Sequence, residues 1–201
     1  SALLMSDYLH CDFVDAKDVI FFNYDCTVNK EKTGEKLKDV LSKKSKAVIP
    51  GFYGSYPDGS IKTFSRGGSD ITGAIVSSAM EADIYENWTD VSGFLIADPR
   101  IVKNPKQIEK ITYQELRELS YMGASVLHDE AVFPVRQAGI PINIRNTNDP
   151  ENPGTLIIRD DLADEDYAKG HIITGIAGKK DFSFFYIHKE HMANEVGIVK
   201  K

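Results

Sequence analysis

Thr63-Phe-Ser-Arg-Gly-Gly-Ser-Asp-Ile-Thr-Gly-Ala74 is the stretch whose reading decides the fold. Two adjacent glycines stand between an arginine and a Ser-Asp pair, and an apolar pattern of helical period follows at once. Glycines let a backbone approach a ligand closely, and the N–H groups of a helix start attract anions. Arg66 adds a planar fork of donors suited to a carboxylate or a phosphate. Asp70 is the odd member, because a carboxylate repels the anion that its neighbours attract. A loop carrying both implies a phosphate handled with a cation or a lysine close by.

Outward from this loop the hydrophobic period keeps switching. Residues 12–15 and 19–22 are short apolar patches of strand character, and residues 31–41 place Leu37, Val40 and Leu41 on one face of a surface helix. Residues 46–50 read as a short buried strand, and Tyr56-Pro-Asp-Gly59 has the chemistry of a tight turn. Ser69 is placed to cap a helix running to about Met80. Residues 83–88 are a strand, with Thr89 and Asp90 just past its carboxyl end. Thr112-Tyr-Gln-Glu115 matches a capping box for a helix ending near Gly123. Residues 130–138 form a further helix stopped by Gly139, residues 140–146 a strand, and residues 148–154 a loop. This alternation predicts a mostly parallel sheet covered by helices.

Composition bounds the function. With 201 residues there is room for one medium domain and a fragment of another. A net charge of −6 argues against a nucleic-acid surface, and no apolar run has the length of a membrane span. Cys11 and Cys26 lack metal-type spacing and read as a reduced, cytoplasmic pair. Ser1-Ala-Leu-Leu-Met-Ser-Asp-Tyr-Leu9 reads as the back half of an amphipathic helix, so the sequence is expected to be an excerpt from a longer polypeptide. Residues 159–170 are acidic and polar and read as a linker. Strand patterns at 171–177 and 182–188, then a helix start at 192–199, predict a second, α+β module.

The second chemical signal is Trp88-Thr-Asp-Val-Ser-Gly-Phe-Leu-Ile-Ala-Asp-Pro-Arg100. In open α/β sheets ligands bind beyond the carboxyl ends of the strands, where Thr89 and Asp90 fall. Asp98 and Arg100 follow in a loop; they fit phosphate binding or a plain surface ion pair. Neither the nucleotide P-loop pattern nor Gly-x-Gly-x-x-Gly is present. The residues by themselves lead to an anion or nucleotide site on an α/β sheet.

Thr63-Phe-Ser-Arg-Gly-Gly-Ser-Asp70, Trp88-Thr-Asp90, Ala97-Asp-Pro-Arg100 and Gly123-Ala-Ser-Val-Leu-His128 resemble successive motifs of the aspartate kinases, within the amino-acid kinase family. Gly139-Ile-Pro-Ile142 and residues 146–155 continue the match in the same order. The resemblance implies a three-layer α/β/α, carbamate kinase-like fold over 1–158, the linker, and the start of an ACT regulatory module of ferredoxin-like α+β fold over 171–201. It implies transfer of the ATP γ-phosphoryl group to the side-chain carboxylate of L-aspartate, with ATP and Mg²⁺ as cofactors, at the head of lysine, threonine and methionine biosynthesis.

By matching position, Arg66, Gly67, Gly68 and Ser69 would bind substrate, and Ser69 and Asp70 would lie where substrate meets phosphate. Asp70 would orient lysine side chains. Thr89, Asp90, Leu95, Arg100, Ser125 and Val126 would contact the nucleotide. The family also implies a homo-oligomer and inhibition by an amino-acid end product, lysine or threonine, at ACT modules. Two positions depart from the pattern: Ser125 stands where many members have a nucleotide-contacting lysine, and Leu95 where some have an aromatic. The family's Lys-Phe-Gly-Gly-Thr-type strand is not in the sequence, so this stretch by itself is expected to be inactive. Trp88 reads as packing under the nucleotide loop, His128 as a structural histidine, and Lys179 and Lys180 as a solvated turn. The competing readings are another amino-acid kinase, acting on glutamate or a nucleotide, and a non-catalytic regulatory or dimerisation fragment.

Overall fold

The structure, a computed structural model, describes residues 1–121, 129–163 and 173–178. The chain runs α1 (Ala2–Leu9), β1 (Asp12–Phe13), a 3₁₀ turn (Ala16–Asp18), α2 (Lys30–Leu41), β2 (Ala47–Val48), β3 (Tyr53–Ser55) and β4 (Ile61–Thr63). It continues with α3 (Gly68–Ala79), β5 (Tyr85–Thr89), β6 (Lys110–Thr112), α4 (Tyr113–Tyr121), α5 (Asp129–Ala138), β7 (Ile142–Asn146), β8 (Thr155–Ile158) and a last 3₁₀ turn (Asp160–Leu162).

The sheet that carries the site has the order β5-β7-β8-β6. β5 runs parallel to β7, with Tyr85 opposite Ile142 and Thr89 opposite Asn146, and β6 runs parallel to β8. The central pair, β7 and β8, is antiparallel. The mostly parallel sheet expected from the alternation is therefore mixed. The loop between β7 and β8 holds no helix, so it returns the chain directly as a hairpin-like connection. Gly154 makes that return with φ at 74°, packed directly on the Ile144 carbonyl, where a side chain has no room. The apolar run Thr155-Leu-Ile-Ile158 after this glycine is the sequence signal for β8.

Two apolar clusters share α3. Ile111, Val135, Ile142, Ile144 and Ile157 are fully buried around Ala74. On the other flank Val19, Ile20, Phe22, Leu37 and Phe64 form a second cluster, against which Ile71, Ile75 and Val76 pack. Phe22 and Phe64 meet edge to face at 4.9 Å. α2 starts where Asn29 accepts from the Lys32 N–H at 3.0 Å, and its Thr33 hydroxyl accepts from the Phe21 N–H at 3.0 Å. The Tyr56–Gly59 turn closes the β3–β4 hairpin, with Gly59 at φ 83°.

The capping box over 112–115 is formed in both directions: the Glu115 carboxylate accepts from the Thr112 N–H at 2.9 Å, and Thr112 Oγ1 accepts from the Glu115 N–H at 3.2 Å. Three other expectations need correction. α1 forms, but Leu3, Leu4, Met5, Tyr8 and Leu9 are each at least half exposed, and the buried residue is Ser6. α1 packs on β1 and β2, and the hydroxyl of buried Ser6 donates to the Leu3 carbonyl at 2.7 Å. The strand over 46–50 is two residues long and half-buried. Residues 173–178 form no strand; two glycines interrupt them, and they fasten to the domain through the Ile176 N–H on the Ile96 carbonyl at 2.7 Å. Residues 171–172 and 179–201, which include Lys179 and Lys180, and the helix end near Gly123 lie outside the described residues.

Thr155 ties the loop between Phe94 and Ile108 to this sheet. Its hydroxyl is fully buried, accepts from the Phe94 N–H at 2.9 Å and donates to the Ile108 carbonyl at 2.5 Å. A Thr155→Val substitution keeps the shape and strands both backbone groups. It is expected to lower stability by about 2–4 kcal/mol in urea unfolding, since each orphaned buried group costs about 1–3 kcal/mol.

Candidate active site

The loop before α3 turns on Gly67, which caps the helix in the left-handed region at φ 57° with no side-chain cap bond. Ser69 was expected in that capping place. It instead lies inside the first turn and is exposed, because the left-handed glycine brings the chain into the helix two residues earlier. The first helical bond runs from the Ile71 N–H to the Gly67 carbonyl at 3.0 Å. The N–H groups before Ile71 head a helix whose positive end favours an anion.

Gly67 is required by its left-handed φ, and Gly68 by space. A Cβ on Gly68 would lie 2.7 Å from the Phe64 Cβ and 2.8 Å from the Phe52 ring. Phe52 cannot retreat easily. Its own φ is 84°, its N–H donates to Thr72 Oγ1 at 3.1 Å, and its carbonyl accepts from the Phe64 N–H at 2.9 Å. Thr72 Oγ1 donates in turn to the Gly68 carbonyl at 2.7 Å. Gly51 backs Ser69, where a Cβ would sit 2.9 Å from the Ser69 Cα.

From the other side β5 holds the same turn. Asn87 Nδ2 donates to Asp70 Oδ1 at 3.1 Å and to the Tyr85 hydroxyl at 3.1 Å, and that hydroxyl donates to the Asp70 carbonyl at 3.2 Å. Burial pushes the Tyr85 phenol up from its ordinary range, so it stays a neutral donor. Gly73 makes room for the Tyr85 ring, which a Cβ would approach to 2.8 Å. Asp70 is half-buried, whereas Arg66 and Ser69 are exposed.

β5 ends at Thr89, whose carbonyl accepts from the Thr147 N–H at 2.8 Å and hydroxyl at 3.0 Å. Thr89 Oγ1 donates to Asp90 Oδ1 at 3.2 Å. Asn146, opposite Thr89 on β7, donates to Ser92 Oγ at 2.9 Å. Leu95 is exposed to 40% and bridges to Gln107. Arg100 grips Asp98 through Nε at 3.0 Å to each oxygen and Nη2 at 2.6 Å, which holds the Asp98 carboxyl down at about 2. The surface pair considered from sequence is thus present, with the Arg100 side chain 87% exposed.

The placement of Trp88 differs from its expected packing under the loop. Strand alternation sends Tyr85 and Asn87 toward α3 and turns Trp88 to the opposite face, where it is 43% exposed. There its indole N–H donates to Glu86 at 3.1 Å and the Arg145 guanidinium lies 4.7 Å from its ring. Asn87 and Tyr85 were missed by sequence reasoning. The available signal was a polar Asn alternating in phase with Thr89 in a strand. Ser125, Val126 and His128 lie outside the described residues.

A helix start without a side-chain cap, joined to the strand whose carboxyl end faces a loop, is how α/β domains receive phosphorylated ligands. A sequence model of the amino acid kinase family matches residues 1–146, and the chain belongs to that family. Aspartokinase 3 of Bacillus subtilis is 39% identical over 193 residues, covering 94% of this chain and 41% of that protein. The aspartate kinase of Clostridium acetobutylicum superposes with a TM-score of 0.78 at 60% identity, over 81% of this chain and 38% of that one. Escherichia coli aspartokinase III, solved in complex with aspartate and ADP, superposes at 0.70 with 30% identity, over 79% and 38%. The chain thus spans about two fifths of the length of these relatives. Among the described residues no helix is long and apolar enough to cross a membrane.

The glycine geometry gives paired expectations. Gly68→Ala should cost about 1–3 kcal/mol in thermal unfolding, because Phe52 and Phe64 must both shift. Gly34→Ala in α2, where a Cβ meets nothing within 4 Å, should instead stabilise by about 0.5–1 kcal/mol.

Proposed function

We propose that this chain is the nucleotide-side part of an aspartate kinase, which transfers the ATP γ-phosphoryl group to the side-chain carboxylate of L-aspartate. One observation carries the reading: the Asp70–Asn87 bond joins the anion-receiving start of α3 to the strand that ends in Thr89-Asp90. The two motifs that the reaction needs, one for substrate and transferred phosphate and one for nucleotide, thereby belong to one site. The relatives named aspartokinase, and the one solved with aspartate and ADP, support the choice of substrate.

In this reading Arg66 binds a carboxylate of aspartate through its two-pronged guanidinium. Gly67, Gly68 and Ser69 present the helix start to the phosphates, and Asp70 orients cationic side chains that share the phosphate charge. Thr89, Asp90, Leu95 and Arg100 face the nucleotide; Ser125 and Val126, outside the described residues, are assigned to it by the family resemblance alone. A carboxylate oxygen of aspartate bonds to the γ-phosphorus as the bond to the ADP oxygen breaks, giving 4-phospho-L-aspartate. The attacking carboxylate is already ionised at neutral pH, so no side chain needs to take a proton from it. The protein's share is alignment and charge neutralisation.

Among the described residues no three His, Cys, Asp or Glu side chains gather as a metal cluster. Magnesium bound largely through phosphates needs only one or two carboxylates, and the exposed Asp90 fits that requirement. When bound, Mg²⁺ neutralises phosphate charge. We further propose the division into a kinase part over 1–158, a linker over 159–170 and an ACT start over 171–201. The linker start is fastened to α4 by Asp160 Oδ1, which accepts from the Gln114 N–H at 2.8 Å. The reading extends to a cytoplasmic homo-oligomer inhibited by an end-product amino acid. For lysine it draws support from the aspartokinase III structure with lysine and aspartate.

Arg66→Ala in the enzyme expressed from its complete reading frame should raise the aspartate KM at least about tenfold, the loss of roughly 1.4 kcal/mol or more of binding. The kcat should change less. Coupled ADP-release assays measure both, and an unchanged aspartate KM would remove Arg66 from the substrate site.

A further inference from the structure

We infer that Asn87 is a positioning residue for the Asp70 carboxylate, an assignment that rests on the phosphotransfer reading of this site. A polar amide in the middle of a strand is a poor choice for packing; its neighbour across the ladder is the fully buried Ile144. An apolar residue would fill that place better unless the amide has a task.

The chemistry of the three groups fixes which way the amide points. An ionised carboxylate only accepts, so the side of Asn87 that meets Asp70 Oδ1 must be Nδ2. The second Nδ2 hydrogen goes to the Tyr85 hydroxyl, and the hydroxyl's own proton goes to the Asp70 carbonyl. The three bonds close a ring that starts and ends on Asp70. They hold its side chain and its backbone together, from one strand. With one Oδ1 lone pair taken by Asn87, Oδ2 and the second Oδ1 lone pair are left for cations at the phosphate site.

The ring also couples the two halves of the site. Asn87 lies two residues before Thr89 on β5, and Asp70 lies two residues after Gly68 on α3. Sliding β5 against α3 breaks the ring, so the phosphate-side helix start and the nucleotide-side strand end keep one fixed offset. Asn87 touches neither reactant in this arrangement and acts through Asp70.

The test uses the enzyme expressed from its complete reading frame. Asn87→Leu should lower kcat about tenfold while the KM values for aspartate and ATP stay within about twofold, assayed well below the variant's own melting transition. In an Asp70→Asn background the same substitution should cause no further loss. A kcat within twofold of wild type, or losses that simply multiply, would overturn the assignment. An independent arm follows the Asn87 side-chain amide in a ¹H–¹⁵N spectrum, where Asp70→Asn should shift both amide protons. Unmoved resonances overturn the proposal whatever the activity. A wild-type enzyme with no aspartate-dependent ADP formation would instead sink the substrate reading, and the amide spectrum would still decide the Asn87–Asp70 contact.

Discussion

Everything at the site depends on how the first turn of α3 is held. Thr72 and Phe52 grip it from the β3 side, through the Gly68 carbonyl and the Phe52 N–H. Tyr85 and Asn87 grip it from β5, through the carbonyl and carboxylate of Asp70. Each grip is polar and at least partly buried, so its loss leaves unsatisfied groups that cost more than the bonds themselves contribute. Two glycines make the close approach possible: Gly68 against Phe52 and Phe64, and Gly73 against Tyr85. A helix start so constrained offers its N–H groups in a fixed direction, which is what an electrostatic site for a transferring phosphoryl group requires.

The same constraint explains why an acid belongs in an anion-receiving loop. Read from sequence, Asp70 opposed its neighbours. In the fold, its Oδ1 is taken by Asn87, and the residue doubles as the joint between α3 and β5. A carboxylate in the first turn is also favoured by the helix dipole, so it costs the helix nothing. The proposed anion-binding and cation-ordering roles are compatible because they would use different atoms: backbone N–H groups for one, a carboxylate oxygen for the other.

Much of this was legible in the sequence because it is local. The capping box at Thr112 and Glu115, the Tyr56–Gly59 turn and the helices after Asn29 and before Gly139 follow from short-range chemistry, and each formed. The family resemblance supplied the fold as a whole. What escaped was non-local. β8 pairs antiparallel with β7 only because the 147–154 loop folds back on Gly154, and no periodicity in Thr155–Ile158 announces its direction. Which face of β5 meets α3 was likewise invisible: alternation gave two sets, Tyr85-Asn87-Thr89 and Glu86-Trp88. Burial by α3 chose the first, leaving Trp88 to Arg145. Asn87 was passed over for the same reason, since its partner lies 17 residues away on another element.

In the proposed reading, Arg100's surface ion pair with Asp98 and its nucleotide contact are compatible rather than rivals. The guanidinium holds Asp98 so firmly ionised, with its carboxyl at about 2, that the pair's charge does not change across neutral pH. Linkage runs in the usual direction for a depressed carboxylate: the benefit is complete above the ordinary range and fades only as pH falls toward 2. Yet the pair is exposed, and solvent and salt screen such pairs until they contribute little. Arg100 is therefore preset in direction by Asp98 and cheap to detach from it. A phosphate, carrying more charge and the same two-oxygen geometry, is the acceptor for which it would exchange. Thr155 anchors both ends of the segment bearing Leu95 and Arg100, at Phe94 and at Ile108.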